Sequence, residues 1–279
     1  MNMEDNAGFF LVLNGTVKEA SIPVQLETSS GRTAYEILRV IKGVPLFYQD
    51  HYDRLKGTFE AIERKLASSD VQMKEDIKKL LAVNTTRNCN VKVVVYEDEG
   101  YQNHLLYISK SYYPSEQEAD AGVKTGLFQL ERRNPNAKLI NQAYKEAVNA
   151  KILEGGYFEV ILVDNSGRVT EGSRSNAFFV KNNQIFTAPG EFVLKGITRK
   201  YVFEACRNAG YDVMEQFMGI DGLSQVDGAF LSGTSIKVLP IAAIDHITLN
   251  SSVNPVVDAV RQEYGKLLEK YIEANAYLW

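Results

Sequence analysis

A polar, acidic segment near the middle of the chain separates two regions that each combine strand-like and helix-like patterns. Residues 113–121 (YPSEQEADA) hold a proline and three acidic side chains, a composition that is typical of a linker. The 279 residues are enough for two domains, since single domains contain about 100–200 residues. We therefore predict a smaller domain over residues 1–112 and a larger domain over residues 122–279.

The first region is predicted to be a mixed domain of strands and helices. Residues that favour strands dominate positions 34–41, 90–96 and 104–108. From residue 52 to 66, and again from 70 to 81, apolar residues recur at the three-to-four-residue spacing of an amphipathic helix. Strands followed by two helices and further strands predict an α/β (α+β) fold.

The second region is predicted to contain short strands interrupted by helices. Residues 158–163 and 176–180 read as strands. Helices are predicted over about residues 139–153 and 199–209, and a final helix begins near Pro255. The alternation supports the same α/β class for the larger domain.

Composition and charge argue against several classes of function. A formal net charge of −4 and the lack of a dense Lys/Arg run disfavour a nucleic-acid partner. No apolar stretch approaches the ~20 residues of a membrane helix, and the acidic start of the chain is unlike a signal peptide. The two cysteines and three histidines lack the spacing of a disulfide framework or a metal site. We expect a cytoplasmic protein that binds no metal.

The stretch from Glu171 to Arg199 carries the most specific pattern in the sequence. It reads Glu171-Gly-Ser-Arg-Ser-Asn-Ala-Phe and later Leu-Lys-Gly-Ile-Thr-Arg199. Together with Tyr35-Glu, His51-Tyr-Asp-Arg-Leu and Ser232-Gly-Thr-Ser, this pattern resembles the class IV aminotransferases, the fold-type IV enzymes that use pyridoxal 5′-phosphate (PLP). That family includes branched-chain and D-amino-acid aminotransferases and aminodeoxychorismate lyase. The resemblance covers nearly the whole chain and implies a C-terminal domain whose strands form a β-barrel-like arrangement.

The resemblance implies a set of cofactor-binding residues. Lys138, which stands at the family's separation from Glu171, is expected to form a Schiff base with PLP, and Glu171 to hold the protonated pyridine nitrogen. A phosphate requires hydroxyls, backbone N–H groups and a forked cation. The residues expected to bind the phosphate are Arg54, Ile197, Thr198, Thr234 and Ser235. Each of these is unremarkable alone, and only the combination indicates a cofactor site.

Substrate-binding residues are marked less clearly. Tyr35, Arg39 and His104 match family positions that face the substrate, although a half-buried strand tyrosine and an ion-paired arginine are simple alternatives for the first two. Gln102 stands where D-amino-acid aminotransferases of the family carry an arginine, and an amide cannot hold a carboxylate as a guanidinium does. The turn at residues 29–34 also lacks the glycines that the family has there.

Three functions remain open at this point. A transaminase would act on an amino acid and a 2-oxo acid, with Lys138 moving the proton. A lyase of the aminodeoxychorismate type would release pyruvate and 4-aminobenzoate from a chorismate-derived substrate, and a non-catalytic PLP-binding protein is the third possibility. We prefer the transaminase. The resemblance also implies a homodimer in which residues 29–36 or 98–104 reach the partner's active site.

Overall fold

The chain divides into two compact units of strands and helices. The computed structural model describes residues 6–21, 33–132 and 134–279. The first unit comprises Met1–Tyr112, Ala137–Gln142 and Glu269–Trp279, and the second comprises Tyr113–Asn136 and Ala143–Leu268. Because neither unit is one continuous stretch, the continuous boundaries given above stay a prediction. None of the helices in the described ranges combines the length and apolar character that a membrane span requires.

The first unit is built on an antiparallel sheet. Within its described residues, six strands lie in the order β2-β1-β6-β5-β3-β4. The strands are β1 (Phe10–Leu13), β2 (Thr16–Glu19), β3 (Ala34–Ile41), β4 (Val44–Pro45), β5 (Cys89–Asp98) and β6 (Tyr101–Ser109). The helices are α1 (Tyr48–Glu60) and α2 (Asp70–Val83). The predicted class and the presence of both helices are confirmed, although the first helix spans Tyr48–Glu60 and not residues 52–66.

The residues of β3 alternate between two faces of this sheet. Leu38 and Val40 are buried in the core that the sheet forms with α1 and α2, where they meet Leu55 and Phe59. Alternate positions along a strand point to opposite faces, so Tyr35 and its neighbours two and four residues on lie on the other face. Glu36 therefore lies on the helix-covered face of the sheet, whereas Tyr35 and Arg39 lie on the opposite face.

Residues 137–140 add a short strand-like segment to the edge of this sheet. Leu139 forms an antiparallel bridge with Ala34. The Tyr35 amide donates to the Lys138 carbonyl at 3.1 Å, and the Ile140 amide donates to the Thr33 carbonyl at 2.9 Å. The predicted helical start near residue 139 is therefore wrong, because these residues are extended and pair with β3.

The second unit is built on a mixed sheet. Among its described residues, ten strands form this sheet, in which β7 and β8 run parallel and β10, β14 and β15 run antiparallel. The strands are β7 (Val123–Gln129), β8 (Glu159–Val163), β9 (Arg168–Gly172), β10 (Asn176–Lys181), β11 (Gln184–Thr187), β12 (Val213–Glu215), β13 (Met218–Gly219), β14 (Gly228–Gly233), β15 (Lys237–Ile244) and β16 (Ile247–Thr248). The remaining helices are α3 (Glu116–Ala121), α4 (Gln142–Gly155), α5 (Ile197–Asn208) and α6 (Pro255–Asn275).

The segment predicted as a linker contains a short helix. The side chain of Ser115 accepts from the Glu118 amide, and the Glu118 carboxylate accepts from the Ser115 amide. This reciprocal capping box satisfies two amides at the start of α3. The Ser-x-x-Glu spacing of this capping box is visible in the sequence. The prediction of a linker relied on composition and overlooked it.

Candidate active site

Lys138 is fixed in the first unit by its own backbone. Besides the carbonyl contact with Tyr35, its amide donates to Thr58 Oγ1 at 3.4 Å. Its Nζ lies 4.7 Å from the centroid of the Tyr35 ring, a distance at which an ammonium interacts with an aromatic face. The short pairing with β3 therefore places one amine over the ring of Tyr35.

Arg54 forms a forked ion pair with Glu36. Its Nε donates to Glu36 Oε1 at 2.7 Å and its Nη2 donates to Oε2 at 2.6 Å. His51 Nδ1 lies 2.7 Å from Oε2. Burial alone would raise the pKa of Glu36, but the charge of Arg54 and the hydrogen bonds from His51 and Arg54 outweigh burial and lower that pKa to about 2. Burial lowers the pKa of His51.

A buried lysine lies on the same face of the sheet as Tyr35. Lys92 of β5 is directly opposite Ile37, and its side chain is 7% exposed. Its Nζ lies 5.7 Å from the Tyr35 ring and 5.4 Å from the Tyr107 ring. Arg39, two residues beyond Ile37 on β3, points to the same face. Lys92 was not predicted as a site residue, although a single charged residue within an otherwise apolar strand can indicate a functional position.

His104 contacts side chains of its own unit through both ring nitrogens. Nδ1 lies 2.9 Å from Ser68 Oγ, and Nε2 lies 2.7 Å from Asp76 Oδ2. Gln102 is also engaged, since it accepts from the Ala67 amide at 2.6 Å. A role for His104 in substrate binding stays a prediction, and these two contacts do not favour it.

The two loops predicted to reach a partner differ in what the structure describes. Residues 29–32 lie outside the described ranges. Residues 98–104 contain the two-residue turn of the β5–β6 hairpin, where Glu99 and Gly100 both have positive φ. The side chain of Tyr101 at this turn is 76% exposed.

In the second unit, Glu171 is a buried carboxylate at the end of β9. Its side chain is 3% exposed. Oε2 accepts from the Leu194 amide at 3.0 Å and from Asn176 Nδ2 at 3.3 Å. Oε1 lies 3.4 Å from Arg132 Nε. Two hydrogen-bond donors and one guanidinium therefore surround this buried carboxylate.

Arg132 and Tyr144 meet at one backbone carbonyl beside Glu171. Arg132 Nη2 donates to the Ser173 carbonyl at 2.9 Å, and the Tyr144 hydroxyl donates to the same oxygen at 2.8 Å. Burial raises the pKa of Tyr144 to about 12, although the neighbouring Arg132 opposes the change. Sequence reasoning missed both residues, because no pattern connects positions 132 and 144 with the motif at 171.

Asn176 lies where three segments of the second unit converge. Its Nδ2 donates to the Leu194 carbonyl at 2.9 Å. A side chain at Gly196, the N-cap of α5, would overlap Asn176 Oδ1. In the sheet, Asn176 pairs with Ser232, so the turn that follows β14 lies at the same edge. Glycine at position 196 therefore allows the start of α5 to approach the Glu171–Asn176 pair.

The predicted phosphate residues of the second unit lie around that point. Ile197 and Thr198 form the first turn of α5, where backbone N–H groups have no acceptor within the helix. Thr198 also contacts the buried Tyr264 hydroxyl, a hydrogen bond that opposes the rise that burial causes in the Tyr264 pKa. Thr234 and Ser235 form the half-buried turn between β14 and β15.

The residues of each unit fit a different part of PLP. The first unit offers an amine at Lys138 and, at Arg54, a guanidinium whose orientation is set by its two hydrogen bonds to Glu36. The second offers a buried carboxylate for a protonated ring nitrogen and, at the start of α5, helix amides with threonine and serine hydroxyls for a phosphate. The structure thus collects the predicted cofactor residues into two groups, one in each unit.

Comparison with known proteins identifies the family. A model of the amino-transferase class IV family matches residues 33–244. The chain is 26% identical over 256 residues to the D-alanine aminotransferase of Bacillus licheniformis, a match that covers 86% of this chain and 90% of that one. It is 24% identical over 253 residues to the branched-chain-amino-acid aminotransferase of Pseudomonas aeruginosa, covering 84% and 82%.

Solved structures share the fold. The branched-chain aminotransferase of Escherichia coli superposes with a TM-score of 0.83 at 21% identity, covering 94% of this chain and 95% of that one. The PLP form of the branched-chain enzyme of Thermobaculum terrenum gives a TM-score of 0.82 at 20% identity, covering 96% of both chains. The two-part α/β fold inferred from the sequence is confirmed.

Proposed function

The chain belongs to the class IV aminotransferase family, and from this premise we propose that Lys138 holds the PLP cofactor during transfer of an amino group between an amino acid and a 2-oxo acid. PLP-dependent transamination is the activity of the family, and the assignment of residues is what we add. The observation that carries this assignment is the pairing of residues 138–140 with β3, which holds the amine over Tyr35 at 4.7 Å.

We assign the remaining cofactor contacts from the geometry within each unit. Arg54 would bind phosphate oxygens, and its pairing with Glu36 keeps the guanidinium in one orientation. Thr198, Thr234 and Ser235 would supply hydroxyls, with the amides of Ile197 and Thr198 at the start of α5. Glu171 would accept the ring N–H. Bound PLP supplies an electron sink for the negative charge that develops on the substrate α-carbon.

Lys138 has a second role in this proposal. Once its Nζ no longer holds the cofactor, it moves the proton that leaves the substrate α-carbon. A base of this kind works best when its pKa is near the working pH, and neighbouring cations favour the uncharged amine. Lys92 is such a neighbour, since its Nζ and that of Lys138 lie 5.7 and 4.7 Å from the same Tyr35 ring.

The substrate carboxylate is assigned to the face of the sheet that carries Tyr35. Lys92 and Arg39 bring two cationic side chains to this face, and an amino acid or 2-oxo acid carries a carboxylate that requires such a partner. Lys92→Met should raise KM for the 2-oxo acid with a smaller change in kcat, and Lys92→Arg should restore part of the loss. A larger effect on kcat than on KM would contradict substrate binding.

The central test is the visible absorption spectrum of the protein with PLP. The wild type should show the yellow band of lysine-bound cofactor, and a D- or L-amino acid substrate should bleach it to the pyridoxamine form. Lys138→Ala should lack the band. Lys145→Ala, which removes an exposed lysine of α4, is the matched control and should behave as the wild type.

Two results would change the proposal. A band that persists in Lys138→Ala would remove Lys138 from its role. A band that no amino acid bleaches would favour the lyase reaction, and an aminodeoxychorismate substrate would then be tested for release of pyruvate.

A homodimer is part of the proposal. The exposed Tyr101 at the β5–β6 turn is a side chain available to a second copy of the chain, and Tyr101→Ala should weaken dimerisation in sedimentation experiments. An unchanged association constant would remove this turn from the interface. A cytoplasmic location stays a prediction.

A further inference from the structure

Glu159 is a buried carboxylate of the second unit that the proposed mechanism does not use. It begins β8, and its side chain is 3% exposed. Oε1 accepts from the Val160 amide at 3.0 Å and from the Ser173 hydroxyl. Oε2 accepts from the Arg174 amide at 3.2 Å and from Ser175 Oγ at 3.3 Å. Burying a charge requires such donors, so four neighbouring groups are organised around one side chain.

Three of these four donors belong to the turn between β9 and β10. Residues 173–175 form this turn, and its packing is tight, because a side chain at Gly172 would overlap Ser175 Oγ. The Ser173 amide also donates to the Val160 carbonyl at 2.9 Å. Glu159 therefore fixes the turn by its side chain while β8 fixes it by its backbone.

The 173–175 turn also positions side chains that contact Glu171. Glu171 immediately precedes the turn and Asn176 immediately follows it, so the conformation of the turn sets the 3.3 Å contact between them. The Ser173 carbonyl, on the same turn, accepts from Arg132 and Tyr144, and Arg132 Nε lies beside Glu171. The side-chain amide of Asn176 and the guanidinium of Arg132 thus depend on residues that Glu159 holds, whereas the Leu194 backbone amide contacts Glu171 independently of them.

We propose that Glu159 is a positioning residue that orients Glu171 toward the ring nitrogen of the cofactor through the 172–175 turn. This inference rests on the proposed role of Glu171. It assigns to Glu159 no contact with cofactor or substrate.

The informative substitution is Glu159→Gln, which keeps the size of the side chain. Each carboxylate oxygen accepts from a backbone amide, and a backbone amide cannot become an acceptor. In either orientation, the NH2 group of glutamine would therefore face an N–H. The turn must shift to relieve this contact, and the orientation of Glu171 must shift with it.

The experiment is a double-mutant cycle read by the PLP dissociation constant of the full-length apoprotein. Glu159→Gln should weaken PLP binding about tenfold or more, the size of effect found for groups that orient primary ligands. In a Glu171→Gln background, the same substitution should change the dissociation constant by less than about twofold, since coupled residues are non-additive. Ser251→Ala, which removes a fully buried hydroxyl that accepts from the Ala229 amide, should lower the melting temperature without weakening PLP binding.

The outcomes separate this inference from the proposed function. Equal losses in both backgrounds, or an unchanged dissociation constant, would refute the role of Glu159 alone. A wild type with no Lys138-dependent band would refute the proposed function and this inference with it. If Glu159→Gln does not fold, Ser173→Ala and Ser175→Ala can replace it, because each removes one donor to Glu159. Each should also weaken PLP binding in the wild type and change the dissociation constant much less in the Glu171→Gln background.

Discussion

Glu36 in the first unit and Glu171 in the second are buried carboxylates that each lie beside an arginine, and the two pairs differ in geometry. In the first unit, Glu36 accepts at both oxygens from Arg54, at 2.7 and 2.6 Å. In the second unit, Glu171 approaches Arg132 at 3.4 Å, and its shorter contact is the 3.0 Å hydrogen bond from the Leu194 amide. The first pair is a short forked ion pair, whereas the second is a carboxylate held mainly by neutral donors.

The difference indicates two separate tasks. The carboxylate of Glu36 pairs with Arg54 and contacts His51. It therefore orients a cation and stabilises the first unit. Glu171 accepts from the Leu194 backbone amide and from Asn176. These neutral donors orient the carboxylate, and no forked guanidinium compensates its charge. We therefore expect substitutions of Glu36 to affect unfolding most, and substitutions around Glu171 to affect cofactor binding most.

The largest effect is expected for Glu36→Gln. The amide would leave the largely buried Arg54, whose side chain is 13% exposed, and the buried His51 without a carboxylate, which costs about 3–5 kcal/mol for a broken buried pair. Trp279, the single tryptophan, packs 5.2 Å from the Tyr48 ring in the first unit, so its fluorescence during urea unfolding reports this loss. Glu171→Gln is the control and should move the Trp279 transition less. Equal shifts of the unfolding transition in the two variants would show that Glu36 does not stabilise the first unit more than Glu171 does.

The second effect concerns acid. The environment of Glu36 lowers its pKa from the ordinary 4.5 to about 2 in the folded protein, so the unfolded chain binds the proton more readily. Its contribution, on the order of 3 kcal/mol, is complete above pH 4.5 and is lost as the pH falls toward 2. The lowered pKa of His51 acts in the same direction below pH 6.5.

Urea unfolding at a series of pH values measures this effect. Glu36→Gln should have a flatter dependence of unfolding free energy on pH than the wild type in this acid range. Parallel curves for the wild type and Glu36→Gln would show that Glu36 titrates normally.

A smaller effect is expected for Asn176→Ala. The substitution removes the hydrogen bonds from Asn176 to the Leu194 carbonyl and to the Glu171 carboxylate, a loss of about 1–3 kcal/mol, although the Leu194 carbonyl still accepts from the Gly196 amide at 2.7 Å. Melting followed by circular dichroism and PLP titration measure the two consequences. Asn176→Asp should weaken PLP binding further, because it places a second carboxylate 3.3 Å from Glu171 Oε2. Stronger binding in the Asp variant would contradict this geometry.

The smallest effect is expected for Tyr144→Phe. The Ser173 carbonyl would lose one of two donors and keep the hydrogen bond from Arg132, so the cost should be about 1 kcal/mol. The melting temperature reports this loss, and Arg132→Met should cost more because it also removes the charge beside Glu171. A reversed order would show that Tyr144 supports the carbonyl more than Arg132 does.

Local features of the fold could be predicted from the sequence. The strand predicted over residues 34–41 agrees with β3, and the helix predicted over about 199–209 agrees with α5 to within two residues at each end, because β-forming composition and helical periodicity act within a few residues. β9 and β15 escaped prediction. β9 mixes polar and apolar residues, and β15 contains Pro240, so neither has a clear strand composition.

The candidate site was predictable to the extent that its residues lie in a motif. The 171–199 stretch gave Glu171 and Thr198 together, and Lys138 followed from its separation along the chain. Lys92, Arg132 and Glu159 could not be found in this way. Their importance comes from neighbours that are distant in sequence, such as Tyr35 for Lys92 and Ser173 for Arg132.

The fold class, the family and the chemistry of the motif residues could be inferred from the chain alone, since periodicity and motif spacing are properties of the sequence. Which charges are paired, and in what geometry, depends on the tertiary structure. Pairing of residues 138–140 with β3 required two segments about 100 residues apart to meet, and no local preference encodes such a contact. The different geometry of Glu36 and Glu171 has the same origin, because the distance between a carboxylate and a guanidinium is fixed by packing.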